Sequence, residues 1–172
     1  MKSAVDRNNA LYGAGTTSQT PDLPRGFSSG EEFGQFGNTL YSGLSAAGYN
    51  DTTAIFQGSS VTGYKYTTGA PFDANRVSDY DIALASPSLL DRAGELGIGL
   101  RSGGTRTGPL TADQLKELNL SDVANQLSQM TGRPVNFMVY ESADAAMARS
   151  PSLVVPNPGE ELGPLDVEPL EP

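Results

Sequence analysis

Cysteine, histidine and tryptophan are all absent from this sequence. Without cysteine there is no thiol nucleophile, disulfide framework or Cys/His zinc site, and without histidine there is no Ser-His-Asp triad. Any general base or metal ligand must come from carboxylates, with Lys, Tyr and Ser/Thr in support. A metal would then be a hard, oxygen-seeking ion, magnesium or manganese first. Long apolar runs are missing too. Nothing approaches the roughly 18–20 consecutive apolar residues of a membrane helix, and the first 30 residues lack an apolar signal core. The chain reads as a soluble piece that can belong to a larger protein. Basic residues are scarce, 11 Lys+Arg against 20 Asp+Glu, for a net charge of −9. That balance disfavours extended nucleic-acid binding. Its distribution weakens the objection, because Glu160, Glu161, Asp166, Glu168 and Glu171 lie past Ser150 with no basic residue among them.

The 172 residues amount to about one domain. Residues 1–30 are polar, rich in Asn, Gly, Ser, Thr and Pro, and read as a leader or linker. Residues 31–150 carry the periodic segments of a folded domain, and residues 151–172 form an acidic, Pro-rich tail with too few apolar residues to pack on its own. Within the domain, Phe33, Phe36, Leu40 and Leu44 recur at helical spacing behind Glu31 and Glu32. Thr53–Gln57 is a short buried strand running into Gly58-Ser59-Ser60. Val77–Ala85 is a second strand, Pro87–Leu96 a helix, and residues 97–109 a glycine-rich loop. Thr111-Ala112-Asp113-Gln114 caps one helix, Ser121-Asp122 opens another that Gly132 ends, and Pro134–Tyr140 is a third strand. The expected fold class is α/β in the α+β sense, a small mixed sheet with helices packed on it.

On the second strand, alternation puts Asp79 and Asp81 on one face and Tyr80, Ile82 and Leu84 on the other. Two carboxylates so close are costly unless protonated, paired or bridged by a cation. Taken alone, an Asp-x-Asp pair is more often an exposed strand end than a magnesium site.

The order helix, strand ending in Gly58-Ser59, excursion, then Ser78-Asp79-Tyr80-Asp81-Ile82 on the next strand resembles the DNA-polymerase-β-like nucleotidyltransferase superfamily. The resemblance covers residues 31–141. It implies that Gly58, Ser59 and Ser78 position a nucleoside triphosphate, and that Asp79 and Asp81 hold two Mg2+ ions for nucleotide transfer to an RNA or protein acceptor. Such chemistry needs charge neutralisation and in-line positioning rather than a special nucleophile. Two departures stand out. Nineteen residues separate Ser59 from Asp79, which requires a hairpin insertion, and the third superfamily acid is replaced by Asn136 in Val135-Asn136-Phe137. An amide can coordinate a cation but supplies no charge. Glu141 or Asp73 could substitute, or the chain could be a non-catalytic binding module or a carboxylate-metal nuclease.

The run from Val77 to Pro87 and on through Gly97–Leu110 further resembles C-terminal toxin modules of bacterial polymorphic toxins of the filamentous-haemagglutinin and Rhs types. That implies secretion as part of a larger delivery protein, action in the cytoplasm of a rival cell, and a cognate immunity protein as partner. Arg101 and Arg106, among glycines and hydroxyls, read either as a phosphate clamp or as a solvated loop. Lys65 and Arg76 flank the insertion as supporting or plain surface charges. Tyr64, Tyr66 and Tyr80 read as base-stacking or packing residues.

Overall fold

The computed structural model describes residues 23–65, 69–73 and 77–157. The leader up to residue 22, Tyr66, Arg76 and the tail from residue 158 lie outside them.

The Phe33/Phe36/Leu40/Leu44 stripe forms helix α1 (Gly30–Ala46), with Ser29 as N-cap accepting from the Glu32 amide. Glu32 in turn accepts from the Ser28 amide and hydroxyl, so two amides at the helix entry are satisfied. Strand β1 (Thr53–Gln57) follows, then a single helical turn α2 (Ser59–Thr62). The excursion doubles back: Tyr64 bridges Pro71, the Lys65 amide donates to the Ala70 carbonyl, and the Phe72 amide donates to that of Gly63. Strand β2 (Tyr80–Ala85) begins three residues later than the sequence pattern implies, which leaves Asp79 just outside it. Helix α3 (Pro87–Glu95) enters through a Ser86 N-cap and a proline in its first turn.

The glycine-rich segment is more ordered than a loop. Strand β3 (Leu100–Arg101), a 3-10 turn (Ser102–Gly104) and strand β4 (Arg106–Thr107) make a small hairpin on the sheet edge. Helix α4 (Ala112–Glu117) carries the expected capping box between Thr111 and Gln114, and α5 (Ser121–Thr131) leads to β5 (Val135–Tyr140). Helix α6 (Ala143–Arg149), capped by Ser142, and strand β6 (Leu153–Val154) complete the chain order. Neither is among the elements expected from the sequence. Alanine spacing in Ala143–Arg149 is a weak apolar signal, and a two-residue strand has no period to read.

One mixed sheet runs in the order β3-β4-β5-β2-β1-β6, with β2 and β5 parallel and the other pairs antiparallel. The fold is α+β, as expected. One face packs Phe56, Tyr80, Ile82, Leu84, Phe137 and Val139 against Phe36, Leu40 and Leu44 of α1, Leu89 of α3 and Leu127 of α5. At roughly 1.5–3 kcal/mol for each fully buried large apolar side chain, this layer is the main source of stability. Helices α1 and α5 touch closely, since a Cβ on Gly43 would lie 2.5 Å from Val123 Cγ2. The opposite face is smaller: Ile55, Ala83, Ala85 and Tyr140 lie under Ala146 of α6.

The packed body reaches beyond residues 31–150 at both ends. Phe27 stacks on Tyr80 with ring centroids 5.3 Å apart and touches Phe33, Phe36 and Phe56. At the other end Leu153 pairs with Phe56 and Val155 is buried. A few apolar residues suffice here because each fills a place the domain has already formed.

Candidate functional site

Three chain segments converge at one end of the sheet: the exit of β1, the entry of β2 and the entry of β5. Register decides which side chains meet. Gln57 lies opposite Asp81, and Asp81 lies opposite Asn136, so all three occupy the same face. This is the face that α6 covers only in part. The apolar row under Ala146 ends where the polar row begins.

Asn136 sits between the two acids. Its Nδ2 donates to Asp79 Oδ2 at 3.1 Å and to Asp81 Oδ1 at 3.2 Å. Asn136 thus bridges the two acids, and its amide partly offsets the repulsion between the two carboxylates. Glu141 does not substitute for it, being exposed at the far end of β5. Asp73 is otherwise engaged: its carboxylate is held by Arg133 through Nη1 at 2.9 Å and Nη2 at 3.1 Å, and accepts from the Ser78 amide at 2.7 Å.

Gly58 is placed against the acids. Its φ of 79° and ψ of −152° suit glycine alone, and a Cβ there would lie 2.7 Å from Asp81 Oδ2. The backbone of the Gly58-Ser59 turn therefore comes directly beside a carboxylate. Ser59 and Ser60 open the turn α2, whose first N–H groups have no acceptor within it.

Ser78 is buried, and its hydroxyl oxygen accepts from Lys65 Nζ at 2.8 Å and from the Asp73 amide at 2.9 Å. Lys65 is consequently part of the site rather than a plain surface charge. Burial pushes the Asp81 carboxyl above the usual carboxylate range, the Asp79 charge adds to this, and the Asn136 amide and the Lys65 ammonium oppose it. Arg133 lies over both Phe72 and Tyr80, 4.9 Å from each ring centroid, and donates to the Ser78 carbonyl at 2.9 Å. It fixes the base of the excursion to the start of β2. Sequence spacing gives no sign of Arg133, because only the fold brings residues 73, 78 and 133 together.

Tyr80 is a packing residue, buried with its hydroxyl donating to the Arg25 carbonyl and its pKa pushed up to about 12 by burial. Tyr64 is exposed. Arg101 and Arg106 are not brought to this end. Arg106 pairs with Tyr140 on β5, four residues from Asn136, or about 13 Å along the strand. The glycine-rich hairpin attaches to the opposite end of the sheet, so neither arginine reaches the Gly58 turn.

Among the described residues no group of three or more Asp, Glu, His or Cys stands close enough to hold a metal. The donor set is two carboxylates and one amide. That set fits magnesium, which binds through one or two carboxylates and completes its shell with water and substrate phosphates. Comparison with protein-family models, curated proteins and solved structures finds no match to this chain.

Proposed function

We propose that this chain is a magnesium-dependent nucleotidyltransferase-type module that binds a nucleoside triphosphate and transfers its nucleotide to an RNA or protein acceptor. The observation that carries this reading is the convergence of Asp79, Asp81 and Asn136 beside the Gly58-Ser59 turn.

Magnesium, when bound, would neutralise phosphate charge and favour ionisation of the attacking hydroxyl. Asp79 and Asp81 would hold it, with the Asn136 amide turned to present its carbonyl oxygen. The Gly58 backbone lets phosphate approach Asp81 with no Cβ between them, and the opening amides of Ser59 and Ser60 donate to phosphate oxygens. Lys65 places a positive charge over Ser78 at the rim. Arg133 and Asp73 hold the excursion so that Ser78 and Asp79 keep their positions. The resemblance to polymorphic-toxin modules supplies the setting: delivery within a larger secreted protein, action in the cytoplasm of a rival cell, and an immunity protein that blocks the site.

One observation favours a second reading. The Asn136 amide already bridges both carboxylates, an arrangement that holds the pair together without a cation and suits a non-catalytic binding module of the same fold.

Calorimetry with each of the four ribonucleoside triphosphates, with and without Mg2+, separates the two. The transferase reading expects Mg2+-dependent heat with at least one triphosphate, its loss in the Asp79→Asn/Asp81→Asn variant, and mass addition to RNA or protein acceptors. Absence of binding, together with undiminished toxicity of the double variant in cells lacking the immunity protein, overturns it.

A further inference from the structure

Among the described residues, Arg106 is a permanent charge buried without a counter-charge. The residue is 8% exposed, and its Nε donates to Ser102 Oγ at 3.1 Å and its Nη1 to the Thr107 carbonyl at 3.2 Å. Among the described residues no carboxylate forms an ion pair with it. Neutral acceptors return only part of the cost of desolvating a guanidinium, so the arrangement is incomplete without an anion.

There is room for one. Arg106 lines a cavity of about 250 Å³ whose walls also include Ser102, Thr105, Tyr140 and, from α6, Arg149. Among the described residues no acidic side chain lines it. Tyr140 is 1% exposed, and its hydroxyl is buried with no hydrogen-bond partner among the described residues. Ser102 Oγ accepts from Arg106 and keeps its own proton to donate, while the Thr105 hydroxyl is committed to the Ser102 carbonyl. Two guanidinium groups and two hydroxyls are therefore the donors, carried by three separate parts of the chain.

We propose that this cavity is a phosphate-binding site, taking one tetrahedral phosphate group between Arg106 and Arg149 with Ser102 and Tyr140 as neutral donors. A phosphate offers at least three acceptor oxygens pointing in different directions, which matches donors arriving from β4, β5, α6 and the 3-10 turn. A carboxylate offers two oxygens in one plane and satisfies fewer of them. The site lies on the same sheet face as Asp81 and Asn136 but at the other end of β5, and it needs neither metal nor triphosphate chemistry. It stands independently of the transferase reading.

Titration of the full chain, in metal-free buffer, with inorganic phosphate and separately with adenosine 5′-monophosphate tests the proposal. One-to-one saturable binding at millimolar or lower concentration is expected. It should weaken by about tenfold in Arg149→Ala, which removes an exposed side chain and should leave the fold intact. Ser102→Ala should weaken it as well, and Asp81→Asn should leave it unchanged. Equal affinity for the two ligands identifies the free ion, and tighter binding of the monophosphate identifies a phosphate carried on a nucleoside. No binding of either ligand at about 20 mM, or binding undiminished in both Arg149→Ala and Ser102→Ala, overturns the proposal.

Discussion

At the scale of single residues, Asp81 is where site chemistry and stability oppose each other. Burial raises its pKa, and the neighbouring Asp79 charge adds to that. For an acid whose folded pKa lies above its unfolded value, the stabilising contribution is present below the unfolded pKa, about 3.9 for aspartate, and is lost as pH rises through the folded value. At neutral pH the ionised group is therefore a burden on the fold. Asp81→Asn is expected to raise the melting temperature at pH 7 while abolishing any transfer activity, and the gain should vanish as the pH falls below about 4. Thermal melts of both proteins across pH check it; an unchanged gap at every pH would show that Asp81 carries no such strain. Gly58→Ala belongs to the same scale. It combines a positive φ with a 2.7 Å approach to Asp81 Oδ2 and should cost about 1–3 kcal/mol by denaturant unfolding. Adding Asp81→Ala removes the contact but not the backbone strain, so the double variant should recover only part of the loss.

Among the elements, the excursion between α2 and β2 is tied to the start of β5 by Arg133, in addition to the contacts of Lys65 and Asp73 with Ser78. Arg133 grips Asp73 in bidentate fashion, holds the Ser78 carbonyl and lies over Phe72 and Tyr80. The same guanidinium holds the Asp73 carboxyl below its ordinary pKa, with the hydrogen bonds from Ser78 contributing. That stabilisation is present above the unfolded pKa and is lost as pH falls through the depressed folded value. Arg133→Gln should accelerate amide exchange at Ser78 and Phe72 while leaving β5 and α1 protected, and the difference from the parent should shrink in acid. Uniform acceleration throughout the domain would instead make Arg133 a global stabiliser. Most of the elements themselves were legible beforehand. Helix α1 followed from its Phe/Leu stripe, α4 from its capping box, and β1, β2 and β5 from short apolar runs between turn formers. Besides α6 and β6, the glycine-rich segment has no legible period, because glycine masks the two-residue strands β3 and β4, which are held in place by β5 rather than by their own propensity.

For the whole molecule, the boundaries of the packed body are decided by edges. Strand β1 would be an open edge without β6, and Gln57 ties this region together by donating to the Ala146 carbonyl at 2.8 Å and to Ser152 Oγ at 3.2 Å. Val155 is buried against the core, and its amide donates to the Ala54 carbonyl. A chain ending at Ser150 is thus expected to lose about 2 kcal/mol or more relative to one ending at Asn157, from the buried Val155 and the half-buried Leu153 alone. It should also self-associate through the uncovered β1 edge. Equilibrium unfolding and sedimentation of the two proteins check this, and equal stability would place β6 outside the cooperative unit.

The sequence by itself determined the chemistry open to this protein: with no histidine or cysteine, carboxylates with a hard cation must carry any metal chemistry, and Asp79 and Asp81 stand out as the close pair. It also determined the main helices and central strands, because their periods of 3.6 and 2 are local properties. Tertiary structure alone decided that Asn136 lies between the two acids, that Lys65 and Arg133 join the site, and that Arg106 lies at the other end of the sheet. Those relations depend on tertiary packing and strand register, through which residues 13 to 60 positions apart come into hydrogen-bond contact, and no local pattern in a sequence records them.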